Sequence, residues 1–510
     1  MGGGSFVESL FIILYFVGMV IIGIVVAKKV KGSQDYLAGG RKMPLWLVTA
    51  TLFATWWGGG TILGGSGAAF TDGFHGVIYD PYGAGLTLII AGFFFMKIVH
   101  DAKVNTAAQF FANRYGSWAA NWSGLLMVPT YCLWAAVQLV AMGKIFQFIL
   151  GWPYAITILI GTAIILFYTV LGGILAVAWT DFFQVIILLV GLIIIFPLAT
   201  KFAGGWQNIV ANTPEHFFKL FPAAGSELAP PTLGGWLWWL GALLGVGLGT
   251  LAAPDMYQRA IVAKDGKTAA RASLISGAGY WILGVIPVYL AFAAITLISQ
   301  GKISGDIINE DSEKLILVLA RAIFHPALAG IFIASLLAAV MSSGDSAIFA
   351  PAAILANDLY KPAYEKVKKQ DLSDKGLVNA SRVSVVIITL IALLIGFFYA
   401  NMYDLLIVAF QLLFHVLFFP LVLGVYWKKA NSPGAIAGMV TGFGIVVIWS
   451  IVEGTLFPEP EWLWALGPGT VGGIMMVIVS LVTQKSHPPK PLVSTDGTIL
   501  KFKELAQPGQ

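Results

Sequence analysis

About thirteen times between residues 6 and 484 the chain runs for the length of a bilayer crossing with scarcely a charge. The stretches are roughly 6–27, 45–70, 78–100, 118–149, 153–171, 180–202, 235–254, 272–298, 328–357, 380–400, 403–427, 433–453 and 464–484. A lipid-spanning helix needs roughly 20 mostly apolar residues. Hydrocarbon offers no water to a bare backbone, so segments of this length must close their own hydrogen bonds as helices. The short alternating pattern of an outer-membrane barrel is absent. The expected fold class is an all-α integral membrane protein of about 13 transmembrane helices, and a chain that is 58% hydrophobic and 11% charged suits no soluble class. The longest connections, 203–234, 299–327 and 358–379, are too short to fold cores of their own. Residues 1–485 therefore read as one transmembrane domain, and 486–510 as a short tail.

Charge sets the expected orientation. Most of the 30 Lys and Arg fall on one side of the alternating loops, among them Lys28, Lys29, Arg41, Arg259, Lys264, Lys366, Lys368, Lys428, Lys485 and Lys503. Lys201, Lys219, Lys302, Lys314 and Arg321 fall on the other, and Lys144 lies near the outer end of the fourth segment. Because positive residues are retained on the cytoplasmic side, the amino terminus is expected outside and the carboxyl terminus in the cytoplasm. The first segment is followed by the basic run "KKVKGSQDYLAGGRK" and has no small-residue cleavage site, so it reads as a retained helix. No glycosylation sequon falls in the segments placed outside, and the expected location is a prokaryotic cell membrane. The net charge of +5 is spread over short loops and forms no nucleic-acid-binding domain. The single cysteine, Cys132, reads as a small apolar core residue.

Two spans carry matched interruptions: "ATWWGGGT" in the second and, five segments later, "WLGALLGVGLGTLAAPD" in the seventh. Glycine costs a helix interior about 1 kcal/mol relative to alanine. A broken backbone at membrane depth is tolerated only where it is buried in protein or lines a wet cavity. Paired interruptions at corresponding positions of two halves point to an inverted-repeat transporter whose binding site lies at the breaks. Simple close helix packing explains isolated glycines well, but three in succession exceed what a packing groove needs.

An acid within a span is a functional candidate by default, and three stand out: Asp80, Asp181 and Asp345. Neither Asp181 nor Asp345 has Lys or Arg close in sequence, and a bound cation would offset their charge. In "AAVMSSGDSAI", Ser342, Asp345 and Ser346 stand at i, i+3 and i+4 and share one helical face, with Ser343 beside it. Hard oxygen ligands of this kind suit an alkali cation better than a thiol or imidazole set would. Carbonyls released at "ATWWGGG" would complete its coordination.

Four segments carry a resemblance. "YTVLGGILAVAWTDFFQ", "LLAAVMSSGDSAIFAPAAILANDLY", "DYLAGGRKMP" and "DMYQRAIVAKDGKTAARAS" resemble signature segments of the sodium/solute symporter family. The resemblance implies a LeuT-type fold of 5+5 inverted repeats with discontinuous helices, the repeats covering about 45–202 and 235–427. It also implies Na+ as the coupling ion. A first sodium site would comprise the carbonyls of Ala54, Trp57 and Ala339 with the hydroxyls of Ser342 and Ser343. A second, present in some members only, would comprise Asp181, Ser342, Asp345 and Ser346, so two ions per cycle are expected. "ATWWGGGTILG" most resembles the choline-transporter-like branch, where Trp134 matches a cage tryptophan. By that resemblance Trp56 and Trp134 would wall a cationic solute through their ring faces. Gly58 and Gly59 at the break, the counter-charge Asp80, and Gln138 and Gln411 complete the expected solute set. Two aromatic positions of that branch read Ala253 and Ala84 here.

The function these features predict is sodium-coupled import of a small organic solute by alternating access, the solute being a choline-like amine or else an amino acid, monocarboxylate or sugar. Proton coupling through Asp181 or Asp345 is the nearest alternative. A channel would require a repeated filter. An enzyme would require a nucleophile with its base or a metal set, which six scattered His and one Cys do not form. His415 reads as a packed residue.

Overall fold

The computed structural model describes residues 6–27, 39–455 and 461–500. Lys28, Lys29 and Lys503 lie outside the described residues. The helices that matter below are α1 (Phe6–Ala27), α2 (Leu45–Trp56), α3 (Gly65–Gly76), α4 (Ala84–Phe94), α5 (Ala107–Tyr115), α6 (Ser117–Leu150), α7 (Tyr154–Phe202), α8 (Leu233–Gly249) and α9 (Pro254–Val262). They continue with α10 (Gly266–Ser299), α11 (Pro326–Ile354), α12 (Asp374–Phe398), α13 (Met402–Leu413), α14 (Ser432–Glu453) and α15 (Glu461–Val482).

Among the described residues nine helices are long and apolar enough to cross a membrane, and ten if one bent pair counts as a span. These nine correspond to the predicted segments four and six to thirteen. The remaining predicted segments are the separate helix α1 and the second, third and fifth stretches. The second segment is cut at its glycines, and its outer half joins the third segment at a 74° bend between Gly76 and Ile78. The fifth supplies an apolar helix of only Tyr154–Phe167, and it shares α7 with the sixth.

The core is lipid-facing outside and close-packed within. From Phe332 to Ile354 every residue of α11 is buried, because its run of Ala, Gly and Ser lets neighbours approach on all sides. The pair α14 and α15 uses the same device. A Cβ at Gly472 would stand 2.7 Å from the Gly438 carbonyl, so only glycine permits the contact.

Both interruptions are real breaks. Helix α2 ends at Trp56, Trp57 leaves helical geometry with φ −81° and ψ 66°, and a wide turn over Gly60–Gly64 leads into α3. Helix α8 ends at Gly249, a tight turn covers Thr250–Ala252, Ala253 is extended, and Pro254 starts α9. Proline at a first helical position loses no hydrogen bond and is preset for the helix.

Two peripheral clamps frame the core. Lys144 Nζ donates to Asp311 Oδ1 at 3.0 Å and to Glu313, while Glu313 Oε1 accepts from the amides of Met402 and Tyr403 at 2.9 and 3.0 Å. The connection 299–327 is thereby tied to α6 and to the start of α13. At the opposite face the tail folds back as a small hairpin with a bridge between Val493 and Ile499. The amide of Thr495 donates to the Ala102 carbonyl at 3.0 Å, and Arg114 donates to the Lys490 carbonyl at 2.7 Å. Lys103 donates to Asp496 at 2.5 Å, and that ammonium holds the Asp496 carboxyl well below the usual carboxylate range.

Candidate functional site

The break after α2 places backbone next to α11. At the end of a continuous helix the Ala54 carbonyl would accept from the Gly58 amide, but that amide turns back to Trp56 O at 2.9 Å. Ala54 O accepts instead from Ser343 Oγ at 3.2 Å. Glycine is needed here for space: a Cβ on Gly58 would overlap the Ser343 side chain and stand 2.8 Å from Gln138 Oε1. Gln138 Oε1 also accepts from the Gly59 amide at 3.1 Å. Ala339 lies on α11 one turn before Ser343, buried with it. Of the first expected sodium set, Ala54 and Ser343 are in contact. The Trp57 ring is fully enclosed, stacked on Phe53 at 5.0 Å and edge-on to Tyr280 at 5.0 Å.

Ser342 addresses a different partner, donating to Asp181 Oδ1 at 2.5 Å. Thr51 donates to the other oxygen of Asp181. Ser346 donates to Ser342 O at 3.2 Å and shares a hydrogen bond with Thr55 at 3.2 Å. Asp345 accepts from Thr169 on α7 at 2.6 Å. Of the second expected set, Asp181, Ser342 and Ser346 are joined by hydrogen bonds, and Asp345, on the same buried stretch of α11, is bonded to Thr169.

One charge overturns an expectation. Arg259, counted above among the cytoplasmic loop residues, is fully buried, with Nη2 3.6 Å from Asp181 Oδ2. The same nitrogen donates to Ser346. Asp181 thus has a cation after all, brought from 78 positions away in the chain because the second break lets α9 run inside the protein.

Asp80 is likewise engaged elsewhere than expected. Its carboxylate accepts from Thr61 at 2.5 Å and from Tyr280 at 3.0 Å, and the Trp56 carbonyl lies 3.1 and 2.9 Å from the same two hydroxyl oxygens. It braces the first break to α10. Among the tryptophans stands a carboxylate that sequence reasoning missed: Asp255 accepts from Trp56 Nε1 at 2.5 Å and from the Tyr131 hydroxyl. Trp56 and Trp134 meet through Phe410, with ring centroids at 6.1 and 5.9 Å. Gln411 borders a cavity of about 430 Å³ lined also by Tyr79, Trp238, Glu313 and Tyr403. The signal for Asp255 and Arg259 lay in "AAPDMYQR", a proline after a glycine-rich break followed by an i, i+4 acid–base pair.

Comparison with known proteins bears on all of this. The sequence pattern of the Sodium:solute symporter family matches residues 36–442. The chain belongs to that family. This symporter is 28% identical over 480 residues to the high-affinity proline transporter PutP of Bacillus subtilis, covering 91% of this chain and 96% of the relative. It is 27% identical over 504 residues to the sodium/proline symporter of Staphylococcus aureus (strain COL), covering 95% and 94%. In fold it is similar to a Na+-coupled sialic acid symporter in a substrate-bound outward-open state, with TM-score 0.77, 18% identity and coverage of 95% and 99%. A nucleobase-cation-symport-1 family transporter matches with TM-score 0.54, 13% identity and coverage of 92% and 97%. The symporter therefore has the LeuT-type fold. The choline-transporter-like affinity expected from "ATWWGGGTILG" is not supported, since the relatives are proline symporters. A short motif at the break reports how the backbone is cut, which solutes of many kinds require.

Proposed function

We propose that this chain is a sodium-coupled importer of proline or a close imino-acid relative, working by alternating access in a prokaryotic plasma membrane with its carboxyl terminus in the cytoplasm. The names of the bacterial relatives support the solute and the ion. The observation that carries the reading is the Ser343 hydroxyl 3.2 Å from the released Ala54 carbonyl, buried between the break and α11. Sodium held by Ala54, Trp57, Ala339, Ser342 and Ser343 would tie α2 to α11 and favour the outward-open state. Solute bound beside the breaks would then permit closure, and rocking of one repeat bundle would release both inside. Coupling requires only that ion and solute prefer the same conformation. Two repeats over about 45–202 and 235–427 are the units of that motion. We assign a single coupling sodium, because Arg259 already neutralises Asp181 at the second expected locus.

The test is proline uptake into proteoliposomes under an inward sodium gradient at fixed pH. Uptake that needs sodium and persists without a proton gradient is expected. Uptake driven equally by protons in sodium-free medium would refute the coupling, and indifference to proline would refute the solute.

A further inference from the structure

Five side chains near the two breaks form a closed circuit of contacts. Asp255 accepts from Trp56; Trp56 lies 6.1 Å from Phe410; Phe410 lies 5.9 Å from Trp134; Trp134 meets Tyr131 edge-on at 5.3 Å; and Tyr131 donates back to Asp255. Four separate elements supply it: the last residue of α2, the second residue of α9, one face of α6, and α13. Two members come from the two interruptions themselves. All five are at least nine-tenths buried.

The carboxylate in this circuit is unusual for its partners. Both its donors are neutral, an indole N–H and a phenol O–H. Among the described residues no Lys or Arg nitrogen comes within 4 Å of it. The nearest guanidinium in sequence, Arg259, is one turn further along α9; it bonds Asp181 and Ser346 and reaches Asp255 only through space, offsetting part of its charge without a contact. The start of α9 offsets part of the charge through its helix dipole, but a buried carboxylate ordinarily keeps a cation. Aromatic faces around a carboxylate are the chemistry that receives an organic ammonium: the carboxylate meets the charge, and the rings meet the C–H groups polarised by it.

We propose that Asp255 is the specificity-determining counter-charge for the ammonium group of the transported solute, with Trp56, Phe410 and Trp134 enclosing its carbon skeleton. This rests on the reading above that the solute is proline, whose ring nitrogen is a secondary ammonium. The counter-charge role expected of Asp80 thus passes to Asp255. A solute of the same ring shape without a basic nitrogen is refused, since it would leave the Asp255 charge unmet.

The test uses the full chain, purified, with sodium present. Three probes are compared by competition and by thermal shift: proline, pyrrolidine, and tetrahydro-2-furoate, which replaces the ring nitrogen of proline with oxygen. Wild type is expected to bind proline and pyrrolidine and to reject tetrahydro-2-furoate. Asp255→Asn is expected to weaken proline on the order of 100-fold, as removing one partner of a buried charge pair does, and to bring the two ring acids within a few-fold of each other. Its sodium-dependent shift without organic solute should match wild type, which reports that it is folded. Tyr131→Phe, which keeps the carboxylate, should retain the discrimination. Tetrahydro-2-furoate binding wild type as well as proline, or Asp255→Asn binding proline unchanged, overturns the proposal, and the first of these needs no variant. If wild type ignores proline yet binds pyrrolidine through Asp255, the proline reading fails and this inference stands. Binding of no ammonium probe overturns it.

Discussion

Replacing Arg259 by glutamine removes the guanidinium 3.6 Å from Asp181 and its bond to Ser346. Asp181 would keep two neutral donors, Thr51 and Ser342, and lose its cation while remaining fully buried. Removing one partner of a buried ion pair strands the other and costs about 3–5 kcal/mol. That loss is expected in detergent, by reversible denaturation in potassium buffer at constant ionic strength. Sodium can take up the vacated oxygens of Asp181, Ser342 and Ser346, so part of the loss should return when sodium replaces potassium. Ligand linkage sets the scale: about 2.7 kcal/mol when the ion stands at a hundred times its dissociation constant. The variant should therefore respond to sodium more strongly than wild type. Adding Asp181→Asn to Arg259→Gln should recover stability, because the stranded charge is gone and neighbouring sites do not add. Should Arg259→Gln lie within about 0.5 kcal/mol of wild type in potassium, with Asp181→Asn independent of it, Arg259 is not the cation on Asp181 and the single-sodium reading falls.

Other outcomes follow from the same geometry. Ser343→Ala should raise the sodium concentration for half-maximal uptake severalfold while leaving the fold intact, measured in proteoliposomes; an unchanged sodium dependence would remove Ser343 from the ion site. Gly58→Ala should abolish transport, since its methyl overlaps Ser343, and Gly58→Ala combined with Ser343→Gly should restore the fold, though not the sodium response, as judged by thermal unfolding. Glu313→Ala leaves Lys144 with Asp311 alone and strands two amides at the start of α13, which should cost about 1–3 kcal/mol; an effect under about 0.5 kcal/mol would make this clamp ornamental. Asp496 titrates below its unfolded value because of Lys103, so its contribution is present above the ordinary carboxylate range near 4 and is lost as pH falls through the folded value. The protection factor of the Thr495 amide, its exchange rate taken relative to the intrinsic rate at each pH, should fall on acidification below about pH 4 and stay constant from 5 to 8.

Local signals were legible in the sequence and distant ones were not. Glycines after Trp57, the serines at 342 and 343, and Asp181 each announce themselves within one helix turn, because backbone cost and buried polarity are local properties. Arg259 and Asp255 escaped because a hydropathy pattern places any polar run after an apolar span in a loop. Here the run continues as α9 within the protein, and its charges are met by α2, α6, α7 and α11, none of them near in sequence. Phe410 was invisible for the opposite reason: one aromatic in an apolar helix carries no mark of the tryptophans it will join. The choline-like resemblance misled because it rested on residues that shape the break, whereas solute choice is settled by side chains converging from four elements.

The docked hairpin of the tail has a practical side. Its turn rests on Ala102 and Lys103, between α4 and α5, while Arg114 grips the strand leading to it. A purification handle, a fluorescent reporter or a surface tether fused behind the carboxyl end will load these contacts first. Sensors built on this transporter are better anchored through a loop at the other end of the bundle, leaving the hairpin and its three anchor residues free of added load.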